Sequence, residues 1–155
     1  MNTRLMSILL LGGSVVGAPA MADEPGRHPA YLHALSDLRA AQWQVDQRRP
    51  EDPHISRAET DVHEHIAAAI TEVQRAARED GKPAVGRVPV DAGTHEGRLH
   101  AAVDLLRKAR EDIARPEDDP RARRFQESGL AQVDAAIFAA EQAIGDVQHG
   151  GAPRR

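Results

Sequence analysis

The stretch HPAYLHALSDLRAA, residues 28–41, decides the fold because much of it returns as HEGRLHAAVDLLRKA, residues 95–109. A shift of 67 residues superposes identical pairs, namely His28 with His95, Leu32 with Leu99, His33 with His100, Asp37 with Asp104 and Leu38 with Leu105. The turns that follow, RPEDP (49–53) and RPEDDP (115–120), match after a shift of one residue. Such self-similarity is typical of a repeated supersecondary unit. The sequence therefore predicts the duplication of a helix–turn–helix unit.

Each copy of the repeat has the pattern of two amphipathic helices. Pro29 suits the first position of a helix, where its missing N–H is no loss. Ser56 and Glu59 have the spacing of a capping box for the second helix, and Thr94 or His95 caps the third. The apolar stripes are predicted at Leu32, Leu35, Leu38 and Val45; Val62, Ile66, Ala69, Ile70 and Val73; Leu99, Ala102, Leu106, Ala109 and Ile113; and Val133, Ile137, Ala140, Ile144 and Val147.

These patterns predict an all-α fold, an antiparallel four-helix bundle formed by two duplicated αα-hairpins. The first hairpin covers residues 28–80, a linker rich in Gly and Pro covers 81–93, and the second hairpin covers 94–149. Residues 150–155 are expected to form a flexible tail. In an up-down-up-down order, the first and third helices would start at the same end of the bundle.

Residues 1–22 have the features of a secretory signal peptide. Arg4 supplies the positive charge, an apolar run of about a dozen residues follows, and AMA at 20–22 offers small residues for cleavage. That run is too short to cross a bilayer about 30 Å thick. We therefore expect a four-helix domain, residues 23–149, in the periplasm, with no stable membrane anchor after the leader is removed.

Composition and the absence of known motifs exclude several classes of function. The net charge of −4 and the pI near 6.0 provide no basic field for nucleic acid. The chain has no Cys, so it has no disulfide framework, and it lacks the G-x-S-x-G, P-loop and H-E-x-x-H motifs. We therefore expect a protein that is not an enzyme and needs no cofactor.

The repeated histidines suggest an alternative, a periplasmic metal-binding protein. Imidazole is the commonest metal ligand, and His28, His33, His95 and His100 would lie at one bundle end in the up-down-up-down order. A divalent transition metal such as copper, zinc or nickel would then be the ligand. Helix geometry favours a simpler interpretation, in which His33 and His100 form surface pairs with the acidic residue one turn later in each copy.

Other residues are candidates for partner contacts or surface roles. Trp43 and Phe138 lie off the main stripes of their helices, which makes them candidate contacts for a protein partner or for self-association. The alternative for Trp43 is that it covers the periphery of the core. His63 and His65 are two residues apart, so they diverge on a helix and are not expected to share a ligand.

The pattern HPAYLHALSDLRAAQW, residues 28–43, resembles that of small exported bacterial helical proteins with no assigned activity. The second copy departs from it at Glu96, which stands where Pro29 stands in the first. The resemblance implies an exported helical fold and transfers no catalytic residue. The sequence thus predicts an exported, non-enzymatic binding or interaction protein.

Overall fold

The described part of the chain forms four α-helices. The structure, a computed structural model, describes residues 30–47, 56–79 and 93–150. Within these ranges the helices are α1 (Tyr31–Asp46), α2 (Arg57–Glu79), α3 (His95–Ile113) and α4 (Pro120–Gly150), and the described residues contain no strand. The all-α, four-helix prediction is confirmed. The predicted leader, Pro29, most of the linker and the tail after Gly150 lie outside the described residues.

Side-chain caps fix the starts of three helices. Ser56 Oγ accepts a hydrogen bond from a backbone N–H three residues later, at 3.1 Å, as the capping-box pattern predicts. Thr94, rather than His95, caps α3 and accepts from a backbone N–H at 3.0 Å. At α4, Asp119 Oδ1 accepts at 2.7 Å, and Pro120 occupies the first helical position. Local sequence therefore sets these three boundaries.

The helices form a square in which every neighbouring pair is antiparallel. α1 packs against α2 and α3, and α4 packs against the same two helices. Tyr31, at the start of α1, donates a hydrogen bond of 2.7 Å to Glu117, which follows α3. Glu59, near the start of α2, contacts His95, the first residue of α3. α1 and α3 therefore run in opposite directions. We name the two bundle ends the Tyr31 end and the His95 end.

The end of α2 and the start of α3 lie at opposite ends of the bundle. α2 finishes at the Tyr31 end, whereas α3 begins at the His95 end. In the expected up-down-up-down order, α3 would begin at the end of the bundle where α2 finishes. The expected order is therefore wrong. The chain instead docks its hairpins about an approximate two-fold axis perpendicular to the helices, which explains why the segment between Glu79 and His95 is long.

The core is lined by aliphatic side chains from all four helices, with alanines where helices lie close together. α2 and α4 approach especially closely at Gly129, where a Cβ atom would lie 3.0 Å from Cγ2 of Val73. A methyl group at this position would require the Val73 side chain to move by a few tenths of an ångström. Small residues in this interface thus allow a bundle with few aromatic residues to pack densely.

Burial confirms a repeated pattern, but its spacing differs between the two helix pairs. Each buried position of α2 matches a buried position of α4 at the predicted shift of 67 residues. The first such pair is Glu59 with Gln126, and the last is Ala77 with Ile144. In α1 and α3 the shift is 68 residues, and the buried pairs are Tyr31 with Leu99, Ala34 with Ala102, Leu35 with Val103, Leu38 with Leu106, Ala41 with Ala109 and Val45 with Ile113.

This difference of one residue corrects the predicted stripe of the first helix. Leu32 is only half-buried, and Tyr31 fills the core position that Leu99 fills in α3. A shift of one residue turns a helix by about 100°. Residues that match in the sequence alignment, such as His33 and His100, therefore do not occupy equivalent positions in the two hairpins.

Candidate functional site

His33 lies at the Tyr31 end of the bundle, with its side chain exposed. Asp37, one turn later, is half-buried against the final turns of α3. Burial raises the pKa of the Asp37 carboxyl, and the charge of Asp112 adds to the rise, whereas Lys108 and His33 oppose it. His33 thus lies near a carboxyl group that is partly withdrawn from solvent.

His95 and His100 lie at the opposite end. His95 Nε2 is 3.3 Å from Oε1 of Glu59, whose side chain is buried. His100 Nε2 is 3.7 Å from Oε1 of Glu96. Glu96 precedes His100 by one turn, so the pair formed differs from the predicted pair with Asp104. Helix geometry allows either pair, because the residues four before and four after His100 are both its neighbours on the helix surface.

The structure does not bring the candidate metal ligands together at one end. His33 is separated from His95 and His100 by most of the bundle length, because α1 and α3 are antiparallel. His28 lies outside the described residues. Among the residues that are described, no group of three or more His, Cys, Asp or Glu side chains is placed to hold a metal ion. Metal binding by these histidines stays a prediction.

His63 and His65 turn to different helices, as their spacing of two predicts. His63 Nδ1 is 2.9 Å from Oδ1 of Asp46 on α1. His65 Nδ1 is 2.8 Å from Oε1 of Gln132 on α4. Each histidine therefore has a polar partner on a neighbouring helix, His63 on α1 and His65 on α4.

Of the two candidate partner contacts, only Phe138 is open to solvent. Phe138 is 65% exposed, and no other large hydrophobic side chain among the described residues is exposed. Trp43 is half-buried on α1. A large exposed aromatic side chain is costly to keep in water, which makes Phe138 the better candidate for a binding residue.

Two ion pairs border Phe138 and join α4 to α3. Arg110 Nε donates to Oδ1 of Asp134 at 2.6 Å, and Arg107 Nη2 donates to Oε1 of Glu141 at 2.9 Å. The hydrogen bond that Arg110 donates to Asp134, together with the charge of that carboxylate, raises the pKa of the exposed Arg110 guanidinium. We call Phe138 and these four charged residues the Phe138 face.

A shallow groove of about 330 Å³ continues the Phe138 face toward the His95 end. It lies between α3 and α4, and Arg107 and Glu141 belong to both the groove and the face. Its lining residues are His100, Val103, Asp104, Arg107, Glu141 and Ile144. Buried Val103 and Ile144 and the exposed charged side chains around them suit an amphipathic ligand better than a small ion.

Sequence reasoning found Phe138 but missed its surroundings. The ion pairs and the groove depend on how α3 and α4 are aligned along their axes, and no local pattern fixes that alignment. Arg107 and Arg110 lie three residues apart on one face of α3, which is the only signal that the sequence offers for a charged rim.

Comparison with known proteins adds no family. No protein-family model, curated protein or solved structure matches this chain. None of the helices in the described ranges is long and apolar enough to cross a membrane.

Proposed function

We propose that this protein is an exported, non-enzymatic interaction protein and that the Phe138 face binds another protein. The exposure of Phe138 near a groove lined by both apolar and charged side chains is the observation that carries the proposal. The leader features of residues 1–22 support export to the periplasm. The proposed resemblance to exported helical proteins of unassigned activity agrees with this function.

The chemistry of the face favours an amphipathic helix as the partner segment. A groove between two antiparallel helices fits a third helix, whose apolar side chains would cover Phe138, Val103 and Ile144. Asp134 and Glu141 are already paired with arginines, so the rim carries little net charge. Such a rim accepts a partner with both acidic and basic residues and disfavours a strongly charged one.

Binding measurements on matched variants test this proposal. A partner captured by the immobilised protein from an envelope extract is isolated and then titrated against three proteins: the wild type, Phe138→Ser and Arg78→Ser. Arg78 is an exposed residue of α2, away from the face. We expect Phe138→Ser to weaken binding at least about 10-fold, as loss of a central aromatic anchor does, and Arg78→Ser to leave it unchanged.

Circular dichroism and urea unfolding check that Phe138→Ser keeps the fold, which its exposure leads us to expect. Equal binding by the wild type and Phe138→Ser would refute the proposal. A larger loss of affinity in Arg78→Ser than in Phe138→Ser would also refute the proposal. If the captured partner is a second copy of this chain, the same variants report on self-association through the Phe138 face.

A further inference from the structure

The side of α4 that points away from the core carries a regular series of residues. Phe138 lies about 160° around the helix from buried Ala140, and Ala131 lies about 160° from buried Val133. Residues that follow one another at spacings of three or four share one side of a helix. We call this side the outward face of α4, meaning Arg124, Ser128, Ala131, Ala135, Phe138, Gln142 and Asp146.

The middle of the outward face is apolar or small and is open to solvent. Ala131 is exposed, Phe138 is 65% exposed, and Ser128 and Ala135 are half-buried. Among the described helices, α4 packs mainly against α2 and α3, which lie on its other sides. A phenyl ring in water keeps a free-energy cost that burial against a second surface would remove. The outward face is therefore suited to packing against an additional helix.

The charges of the outward face have opposite signs at its two ends. Arg124 lies near the start of α4 and Asp146 near its end, about 33 Å apart along the helix. Neither of them forms an ion pair with another residue that the structure describes. Glu127 and Glu141 lie closer to α3, at the edge of the face. The outward face thus has one basic end, one acidic end and an uncharged middle.

This order of charges is complementary to a second copy of the same face in the opposite direction. In a two-fold interface every contact occurs twice, because the same surface of both copies takes part. Antiparallel packing places Arg124 of each copy level with the acidic end of α4 in the other copy. Parallel packing would instead place Arg124 against Arg124 and Asp146 against Asp146, which costs free energy.

The sizes of the side chains are complementary in the same arrangement. With the two-fold axis between Ala131 and Ala135, the ring of Phe138 meets Ser128 and Ala131 of the second copy, where the side chains are small. We propose that the protein forms an antiparallel homodimer through the outward face of α4. This inference rests on the proposed function, in which Phe138 contacts a protein, and it names that protein as a second copy of this chain.

Sedimentation equilibrium of the purified protein measures the dimer directly. We expect Phe138→Ser to raise the dissociation constant of the dimer at least about 10-fold, because Phe138 lies in the centre of the interface in both copies. The control Arg78→Ser, on α2, should leave the constant unchanged. A wild-type protein that stays monomeric at about 1 mM would overturn the proposal. Equal dissociation constants for the wild type and Phe138→Ser would overturn it as well.

Charge reversal tests whether the two ends of the face pair with each other. Arg124→Glu brings two pairs of acidic residues together in the dimer, so we expect it to raise the dissociation constant at least about 3-fold. Asp146→Arg should do the same with two basic pairs. The combined variant Arg124→Glu/Asp146→Arg forms both pairs again with reversed signs and should restore the affinity of the wild type. A combined variant that dimerises more weakly than either single variant would contradict the antiparallel arrangement.

Cross-linking of introduced thiols tests the direction, because the chain has no cysteine of its own. Ala131→Cys and Gln142→Cys both lie at exposed positions of the outward face. In the antiparallel dimer, two copies of residue 131 are about 6 Å apart along the helices, and two copies of residue 142 are about 27 Å apart. A short bismaleimide should therefore link Ala131→Cys into dimers and leave Gln142→Cys unlinked. Efficient linking of Gln142→Cys would indicate parallel packing and overturn the proposal.

The results distinguish a failure of this inference from a failure of the proposed function. A monomer that binds a partner from the envelope extract through Phe138 overturns the homodimer and leaves the binding proposal standing. A dimer that Phe138→Ser does not weaken overturns the homodimer through this face, and equal partner binding by Phe138→Ser and the wild type overturns the proposed function. An antiparallel dimer that Phe138→Ser weakens supports both.

Discussion

At the residue scale, the charged groups of α1 show how position decides the role of a side chain. Asp37 and Asp104 match in the sequence repeat, yet Asp37 is half-buried between α1 and α3 whereas Asp104 is exposed at the groove. The difference follows from the extra residue of shift between α1 and α3. Identical residue types therefore face different surroundings in the two copies.

Asp37→Asn should stabilise the protein at neutral pH. Burial raises the folded-state pKa of the Asp37 carboxyl above its unfolded value. The folded state therefore binds the proton more tightly, and the stability that this provides is present at low pH and lost as the pH rises through the folded pKa. Asn has no charge to desolvate, so the urea midpoint of Asp37→Asn at pH 7 should exceed that of the wild type.

The same titration at lower pH provides the check. The gain from Asp37→Asn should shrink as the pH falls into the range in which aspartate is protonated. Asp104→Asn, at the exposed counterpart, should leave the midpoint nearly unchanged at both pH values. A loss of stability in Asp37→Asn at pH 7 would show that the attraction of Lys108 outweighs the cost of burial.

At the element scale, the α2–α4 interface depends on one position without a side chain. A Cβ atom at Gly129 meets Val73, whereas a Cβ atom at Gly145 has nothing within 4 Å. Both glycines lie inside α4, so the helix propensity gained on substitution by alanine is the same. The two substitutions therefore separate packing from propensity.

Gly145→Ala should raise the free energy of unfolding by up to about 1 kcal/mol, because alanine favours the helix. Gly129→Ala should be less stable than Gly145→Ala by at least about 1 kcal/mol, because its methyl group must displace a buried valine. Urea unfolding of the two variants measures the difference. Equal stabilities would mean that α2 and α4 are not in close contact at Gly129.

The sequence predicted the helices and their boundaries more accurately than the way in which the helices pack. Ser56, Thr94 and the proline-containing turns mark helix boundaries because caps and breakers act locally. The stripe of α3 was also readable from its spacing. The stripe of α1 was displaced by one residue, from Leu32 to Tyr31, because this helix is apolar on two sides and its pattern alone cannot indicate which side faces the core.

At the scale of the whole molecule, the order of the helices was the main error, and it changed the candidate site. Four histidines at one end required α1 and α3 to start together. The relative direction of α1 and α3 depends on which apolar stripes pack best against each other, and tertiary packing rather than local sequence decides that. The antiparallel order of α1 and α3 separates His33 from His100 and leaves the Phe138 face as the better candidate for function.

One distance tests the central claim that the two hairpins dock with α1 antiparallel to α3. Nitroxide labels on His33→Cys and Ala114→Cys occupy exposed positions, and the chain has no other cysteine to label. Pulsed electron spin resonance should give a distance below about 20 Å, because the start of α1 lies beside the end of α3. A distance above about 30 Å would place these residues at opposite ends of the bundle and contradict the account.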